Sequence, residues 1–166
     1  AFNLRNLVQE GRPEPAALAT LLRLCARQGV GAEECTAISN YVVSRLAEAG
    51  AGAGVGPLPL DGFVGTVLPQ MEPARAAALE RRLVMLPMPT LLNANTTDAA
   101  LLASAIPAAG DARITALLAE RDQGRWLLNT GDIAHRLQLT QEQMYAMQVG
   151  IHSEWFIARG QVQAED

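Results

Sequence analysis

The stretch LPMPTLLNANTTDAALLASAIP (residues 86–107) limits what this chain can become more than any other. Proline lacks an amide donor and drives its predecessor toward extended backbone, so Pro87 and Pro89 end a helix and impose an extended crossing. The asparagines and threonines that follow are the residue types that satisfy turn and cap amides. Thr96 or Thr97 is expected to cap a new helix, with Asp98 in its first turn at the positive end of the dipole. Leu101, Leu102 and Ala105 then face inward until Pro107. The segment reads as a structural junction that places two helical blocks, not as a reactive site.

Helical patterning fills both sides of this junction. Before it, PEPAALATLLRLCARQG puts Leu18, Leu21, Leu22 and Cys25 on one face, with Pro15 in the first turn. In AEECTAISNYVVSRLAEAG the stripe is Cys35, Ile38, Tyr41, Val42 and Leu46, and Gly29 and Gly31 make the bend between the two helices. Each cysteine faces the partner helix about one turn from that bend. The pair reads either as two small buried hydrophobes or as a disulfide, the latter implying an oxidising compartment. A glycine-rich stretch, AGAGAGVGPLPLDG over 49–62, reads as a linker; no Gly-Lys-Ser/Thr follows it, so it is no phosphate loop. Helices are expected around 60–67 and over 72–86, the latter with Pro73 in its first turn and Ala76, Leu79 and Leu83 inward.

After the junction, AAGDARITALLAERDQG turns at Gly110 and buries Ile114, Leu117 and Leu118, with Asp111 as the expected cap and Gly124 as the stop. A short helix in DIAHRLQL follows, and TQEQMYAM opens with a Thr140–Gln143 capping box. The period changes at both ends of the chain. Phe2 and Leu4 alternate with Asn3 and Arg5, and Val149, Ile151, Ser153, Trp155 and Ile157 alternate with Gly150, His152, Glu154 and Phe156. Period two means strand, with a possible hairpin through Gly160. The order is a strand fragment, about seven helices, then strands. It suggests one small sheet interrupted by a helical block. The opening AFNLRNL carries no turn signal, so a targeting segment or anchor is expected ahead of it.

Composition narrows the function classes. Apolar residues make up 49% of the 166, enough for a sizeable core. The 13 basic residues are all arginine and are outnumbered by 17 acidic ones, giving −4, a balance that argues against a polyanionic partner. No apolar run is long enough to span a bilayer.

Reactive signatures are thin. His135 and His152 are the only histidines, too few with two cysteines for a zinc site. Ser153 beside His152 suggests no dyad, because strand neighbours point to opposite faces, and no G-x-S-x-G elbow exists. No oxygen-rich calcium loop is present, although QAED at 163–166 clusters two acids. The competing motif is a nucleic-acid-binding helix-hairpin-helix across 91–124. Its hairpin IPAAGDARI has alanines where paired glycines would meet phosphates, and an aspartate at the helix start. It reads better as a packing scaffold. Trp126, Trp155, Phe156, Phe2 and Phe63 are expected in the core or on a sheet face, with a partner surface as the alternative for some of them.

Three stretches in order, FNLRNL, VMLPMPTLLNANTTDAALLASAIP and MQVGIHSEWFIARGQV, resemble a type II secretion minor pseudopilin family, general secretion pathway protein K. Phe2, Asn3 and Leu4 match the first family motif, with Arg5 for its usual Asn. Leu86, Pro87, Thr90, Asn93, Asn95 and Thr96 match the second, with Thr97 for Ala. Ser153, Trp155 and Phe156 match the third, with Trp155 for Tyr. The family's D-W-x-D segment after the second helix has no counterpart here.

The resemblance implies an α+β fold, predominantly α: a large all-α domain, SAM-like or helix-hairpin-helix-like, inserted into a small pilin-like antiparallel sheet. Residues 1–10 and 148–166 would be the sheet fragments and 11–147 the inserted domain, with the family's N-terminal pilin helix outside this chain. It implies a non-enzymatic component of the pseudopilus tip that nucleates and caps assembly with the I- and J-type minor pseudopilins. The implied location is the periplasm, with anchoring to the inner membrane through that N-terminal helix alone. No nucleic acid is implied. No cofactor is expected within this chain, since the family's calcium sites lie largely in pilin-like residues outside it.

Overall fold

The computed structural model describes residues 1–48 and 62–156. The glycine-rich stretch, the expected strand residue Ile157, the hairpin through Gly160 and the acidic tail therefore lie outside the described residues.

The chain opens with β1 (Phe2–Asn3) and a 3-10 turn over Leu4–Leu7, where sequence alternation suggests a longer strand. The cause is Asn3, whose Oδ1 accepts the Arg5 amide at 3.1 Å and caps the turn. That turn sends Leu4 and Leu7 together into the core. A tight hairpin pairs β2 (Val8–Gln9) with β3 (Arg12–Pro13). Glu10 and Gly11 make the turn at φ of 50° and 75°, the left-handed region that glycine enters without strain.

Helix α1 (Pro15–Arg27) starts on Glu14, whose carboxylate accepts the Ala16 amide. It returns through Gly29, at φ 70°, into α2 (Ala32–Glu48). Leu24 takes the inward position on α1, while Leu22 is exposed, correcting the expected stripe by two residues. Helix α3 (Phe63–Val67) follows, and Phe63 packs on Tyr41 with ring centres 5.6 Å apart. Helix α4 (Pro73–Glu80) stops well before the expected end at Leu86. The chain leaves it to form β4 (Leu83–Val84), which pairs in parallel with β1.

After the prolines come β5 (Leu92–Asn93), α5 (Ala99–Ala105) and a single 3-10 turn, Pro107–Ala109. The cap of α5 is Asp98, which accepts the Leu101 amide at 3.0 Å, and neither threonine. Helix α6 (Asp111–Asp122) starts at Gly110, so Asp111 is the first helical residue instead of the cap. Helices α7 (Thr130–Leu137) and α8 (Gln141–Ala146) complete the block, the second with the Thr140–Gln143 capping box in place. Strand β6 (Val149–Gly150) pairs in parallel with β5.

Two apolar clusters result. The first gathers the 3-10 turn, α1 to α4 and β4. The second gathers α5, α6, α7, Ala94 and Val149. Helix α5 belongs to both, because adjacent residues on a helix point about 100° apart: Leu101 enters the first cluster and Leu102 the second.

The expected antiparallel sheet between the two chain ends is not what the described residues form. Phe2–Asn3 and Val149–Gly150 do not pair with each other; the first pairs in parallel with β4, just before the crossing segment, and the second with β5, within it, in separate two-stranded sheets. The ends still meet at that segment, where Ala1, Phe2, Asn3, Leu92 and Gln148 line one cavity of about 20 Å³. The alternation over 149–157 also gives less strand than expected. Only two residues are extended and paired, because Ser153 turns back to Asn93.

Candidate functional site

The side chains expected to carry meaning converge on the crossing segment. Asn3 acts from one side. Its Oδ1 also accepts the Leu86 amide at 3.1 Å, and its Nδ2 donates to the Met88 carbonyl at 2.9 Å and to Thr90 Oγ1 at 3.1 Å. These bonds hold the bend at Pro87–Met88 against the first lobe. Asn6 adds a two-point clamp, donating to the Thr90 carbonyl at 2.7 Å and accepting the Thr90 amide at 2.9 Å. A carboxamide carries one donor edge and one acceptor edge, so it can pair with a peptide group as a neighbouring strand would.

The other side of the junction uses the same device. Asn95 Nδ2 donates to the Leu127 carbonyl at 2.9 Å, and its Oδ1 accepts the Leu127 amide at 3.0 Å. Asn93 Oδ1 accepts the Asn95 amide at 2.9 Å, a local turn, while its Nδ2 donates to Ser153 Oγ at 2.8 Å. Arg121, from the end of α6, donates to the carbonyls of Thr97 at 2.7 Å and Ala94 at 3.1 Å. The segment from Leu86 to Thr97 is thereby tied to the N-terminal turn, to α6, to the loop before α7 and to the C-terminal strand.

Of the motif residues, Phe2, Asn3 and Leu4 are buried, Asn93 and Asn95 are half-buried, and each asparagine is fully engaged. Pro87 shapes the bend. Thr96 is exposed and holds only a 3.5 Å contact to the Asn93 carbonyl. Phe156 does not join the cluster; it is 85% exposed. Trp155 and Trp126 are also exposed, so of the alternatives for these aromatics the core one does not hold for them. For Trp126 the reason is visible: the Asn95 clamp fixes Leu127 inward, so its neighbours Trp126 and Leu128 point out. Asn6 and Arg121 were not singled out from the sequence. Asn6 joins Asn3 because residues three apart eclipse on the 3-10 turn, and the alternation, which suggests a strand there, gives no signal of it. Arg121 had none.

Two ion pairs and one hydrogen bond from a guanidinium to a carbonyl join the lobes. Arg27 forks onto both carboxylate oxygens of Asp111 at 2.9 and 2.6 Å. That bond holds the Asp111 carboxyl below the usual carboxylate range. Arg23 Nε donates to the Ser104 carbonyl at 2.7 Å, and Arg82 pairs with Asp98. Within the second lobe, burial pushes the Asp132 carboxyl up, but the Leu128 amide and the Arg136 guanidinium outweigh it and leave it lowered.

The chemistry available is that of packing and hydrogen bonding. His135 and His152 are exposed, and they sit on different elements. Among the described residues no three His, Cys, Asp or Glu stand together as metal ligands. Asp111, the first residue of α6, puts a negative charge paired with Arg27 at the hairpin between α5 and α6, where a phosphate would be repelled.

Residues 92–152 match the family model described as type II secretion system (T2SS), protein K. That stretch, and not the rest of the chain, is similar to the family. No curated protein matches it at a significant level. The matched stretch begins on the first residue of β5 and ends just after β6, so it is the second lobe together with the strand pair that closes it. The first lobe lies outside the match. Asn93 and Asn95 fall inside it, and Asn3 and Asn6 attach the first lobe to its leading edge. By that description, protein K is a component of the type II secretion system. No helix among the described residues is long and apolar enough to cross a membrane.

Proposed function

We propose that this chain is a minor pseudopilin at the tip of the type II secretion pseudopilus, where it starts and caps assembly together with the I- and J-type minor pseudopilins. The family match over the second lobe is the observation that supports this reading most. The polar residues of the shared motif support it too. Asn3, Asn93 and Asn95 all spend their donors and acceptors inside the molecule, as shape-setting residues would.

The mechanism is steric. Pilin-like subunits stack through long N-terminal helices, and a subunit carrying two helical lobes above that helix fits only where nothing must be added on top. The helical block would be an insertion in a pilin-like sheet completed by residues outside those described. The chain would sit in the periplasm, held at the inner membrane by the N-terminal helix the family carries, with no enzymatic step, no nucleic acid and no cofactor within these residues.

The test is to mix the purified chain with soluble I- and J-type domains at micromolar concentration and weigh the products by light scattering after gel filtration. A complex holding one of each is expected. Three separate species would contradict the proposal.

A further inference from the structure

Cys25 and Cys35 are joined in a disulfide between α1 and α2, and both residues are 0% exposed. They lie inside the first apolar cluster with Leu21, Leu24, Ile38 and Leu79, and Cys35 Sγ stands 3.6 Å from the Leu21 carbonyl oxygen. Thiol–disulfide exchange requires a thiolate, a charged nucleophile, to reach a sulfur atom. In the closed lobe neither sulfur can be reached. We infer that the bond is made before the first lobe closes, by exchange with an external disulfide, and that the closed lobe then shields it from reductants.

The exchange balances without further reagents. One cysteine thiolate attacks the external disulfide, forms a mixed disulfide and expels one thiolate. The second cysteine thiolate attacks the protein's sulfur in that mixed disulfide and expels the other. Two electrons pass from the chain to the external disulfide, and the two thiol protons pass to solvent and the departing thiolates. The second lobe contains no cysteine and takes no part. The protein therefore couples a redox-dependent first lobe to a redox-independent second one, whatever the partners at the pseudopilus.

Two rates test this on the whole chain. Dithiothreitol is added in native buffer or in urea, and free thiols are counted by alkylation and mass spectrometry. Reduction at least about tenfold slower in native buffer is expected, and equal rates would overturn the inference. In the second arm, glutathione disulfide is given to the reduced chain in urea or after dilution into native buffer, while amide hydrogen exchange of α1 and α2 follows closure of the first lobe. Slower oxidation once native protection has returned supports the inference, as does protection that returns only with the bond. Oxidation at the unfolded rate with native protection already recovered would overturn it.

Discussion

The side-chain amide of Asn95 pairs with both backbone polar groups of Leu127, 32 residues away in sequence, at 2.9 and 3.0 Å. A side chain here stands in for one rung of a strand ladder and locks the loop before α7 against the crossing segment. Leu127 is 2% exposed, so its amide and carbonyl have no solvent to turn to if the clamp is lost. Replacing Asn95 by Ala is expected to destabilise the protein by about 2–3 kcal/mol, the cost of two bonds lost and two buried groups left bare. Asn95→Asp sets a carboxylate oxygen against the Leu127 carbonyl in place of the donor, so at neutral pH it should be no more stable than Ala. Urea denaturation of the three proteins checks the order. Equal midpoints would refute the clamp.

Thr97 supplies the opposite case. Its hydroxyl is buried and, among the described residues, has no hydrogen-bond partner, while its carbonyl is taken by Arg121. A buried hydroxyl without a partner costs free energy, and Val has nearly the same shape without it. Thr97→Val should therefore raise stability by about 1 kcal/mol. A lower melting temperature would show that the hydroxyl is in use.

How far the sequence foretells this fold depends on which physics is local. Proline geometry, helical periodicity and the Thr140 capping box act within a few residues, and helices appear in every region where they were read. Ends fail where a distant partner decides them. Helix α4 stops early because Leu83–Val84 is taken by Phe2–Asn3, and the C-terminal alternation breaks because Ser153 bonds Asn93. The junction is legible as a junction, since Asn-rich turns announce themselves. Its partners are not, because Asn6–Thr90 and Asn95–Leu127 join residues 84 and 32 positions apart. Exposure of Trp126 likewise follows from a neighbour being clamped inward, which no periodicity encodes.

Acid should weaken the second lobe through Asp132. Its carboxylate accepts the Leu128 amide at 3.1 Å and Arg136 Nε at 2.8 Å, and its folded pKa is lowered. A depressed folded pKa means the stabilisation is complete above the unfolded value of about 3.9 and is lost as pH falls through the lower folded value. Asp132→Asn should be less stable at neutral pH by about 1–2 kcal/mol and should lose part of the acid sensitivity. Melting temperatures of both proteins from pH 7 to pH 2 check this, the curves converging at the acid end. Parallel curves would exclude Asp132 as a source of acid sensitivity.

Arg121 binds two carbonyls of the junction with one terminal nitrogen and Asp122 through the rest of its planar head. Lysine offers a point charge without that fork, so Arg121→Lys should still destabilise, by about 1 kcal/mol, and Arg121→Ala by more. Thermal melts decide between this and a purely ionic role, in which lysine would serve as well as arginine.

On the proposed function, secretion depends on the form of the helical block that the asparagine clamps fix. Exoprotein secretion by the host strain, with variants placed in its own copy of the gene, measures that dependence. Wild-type secretion is expected from His135→Ala/His152→Ala and reduced secretion from Asn6→Ala/Asn95→Ala. Secretion lost with the histidines, or untouched when both clamps are gone, would contradict it.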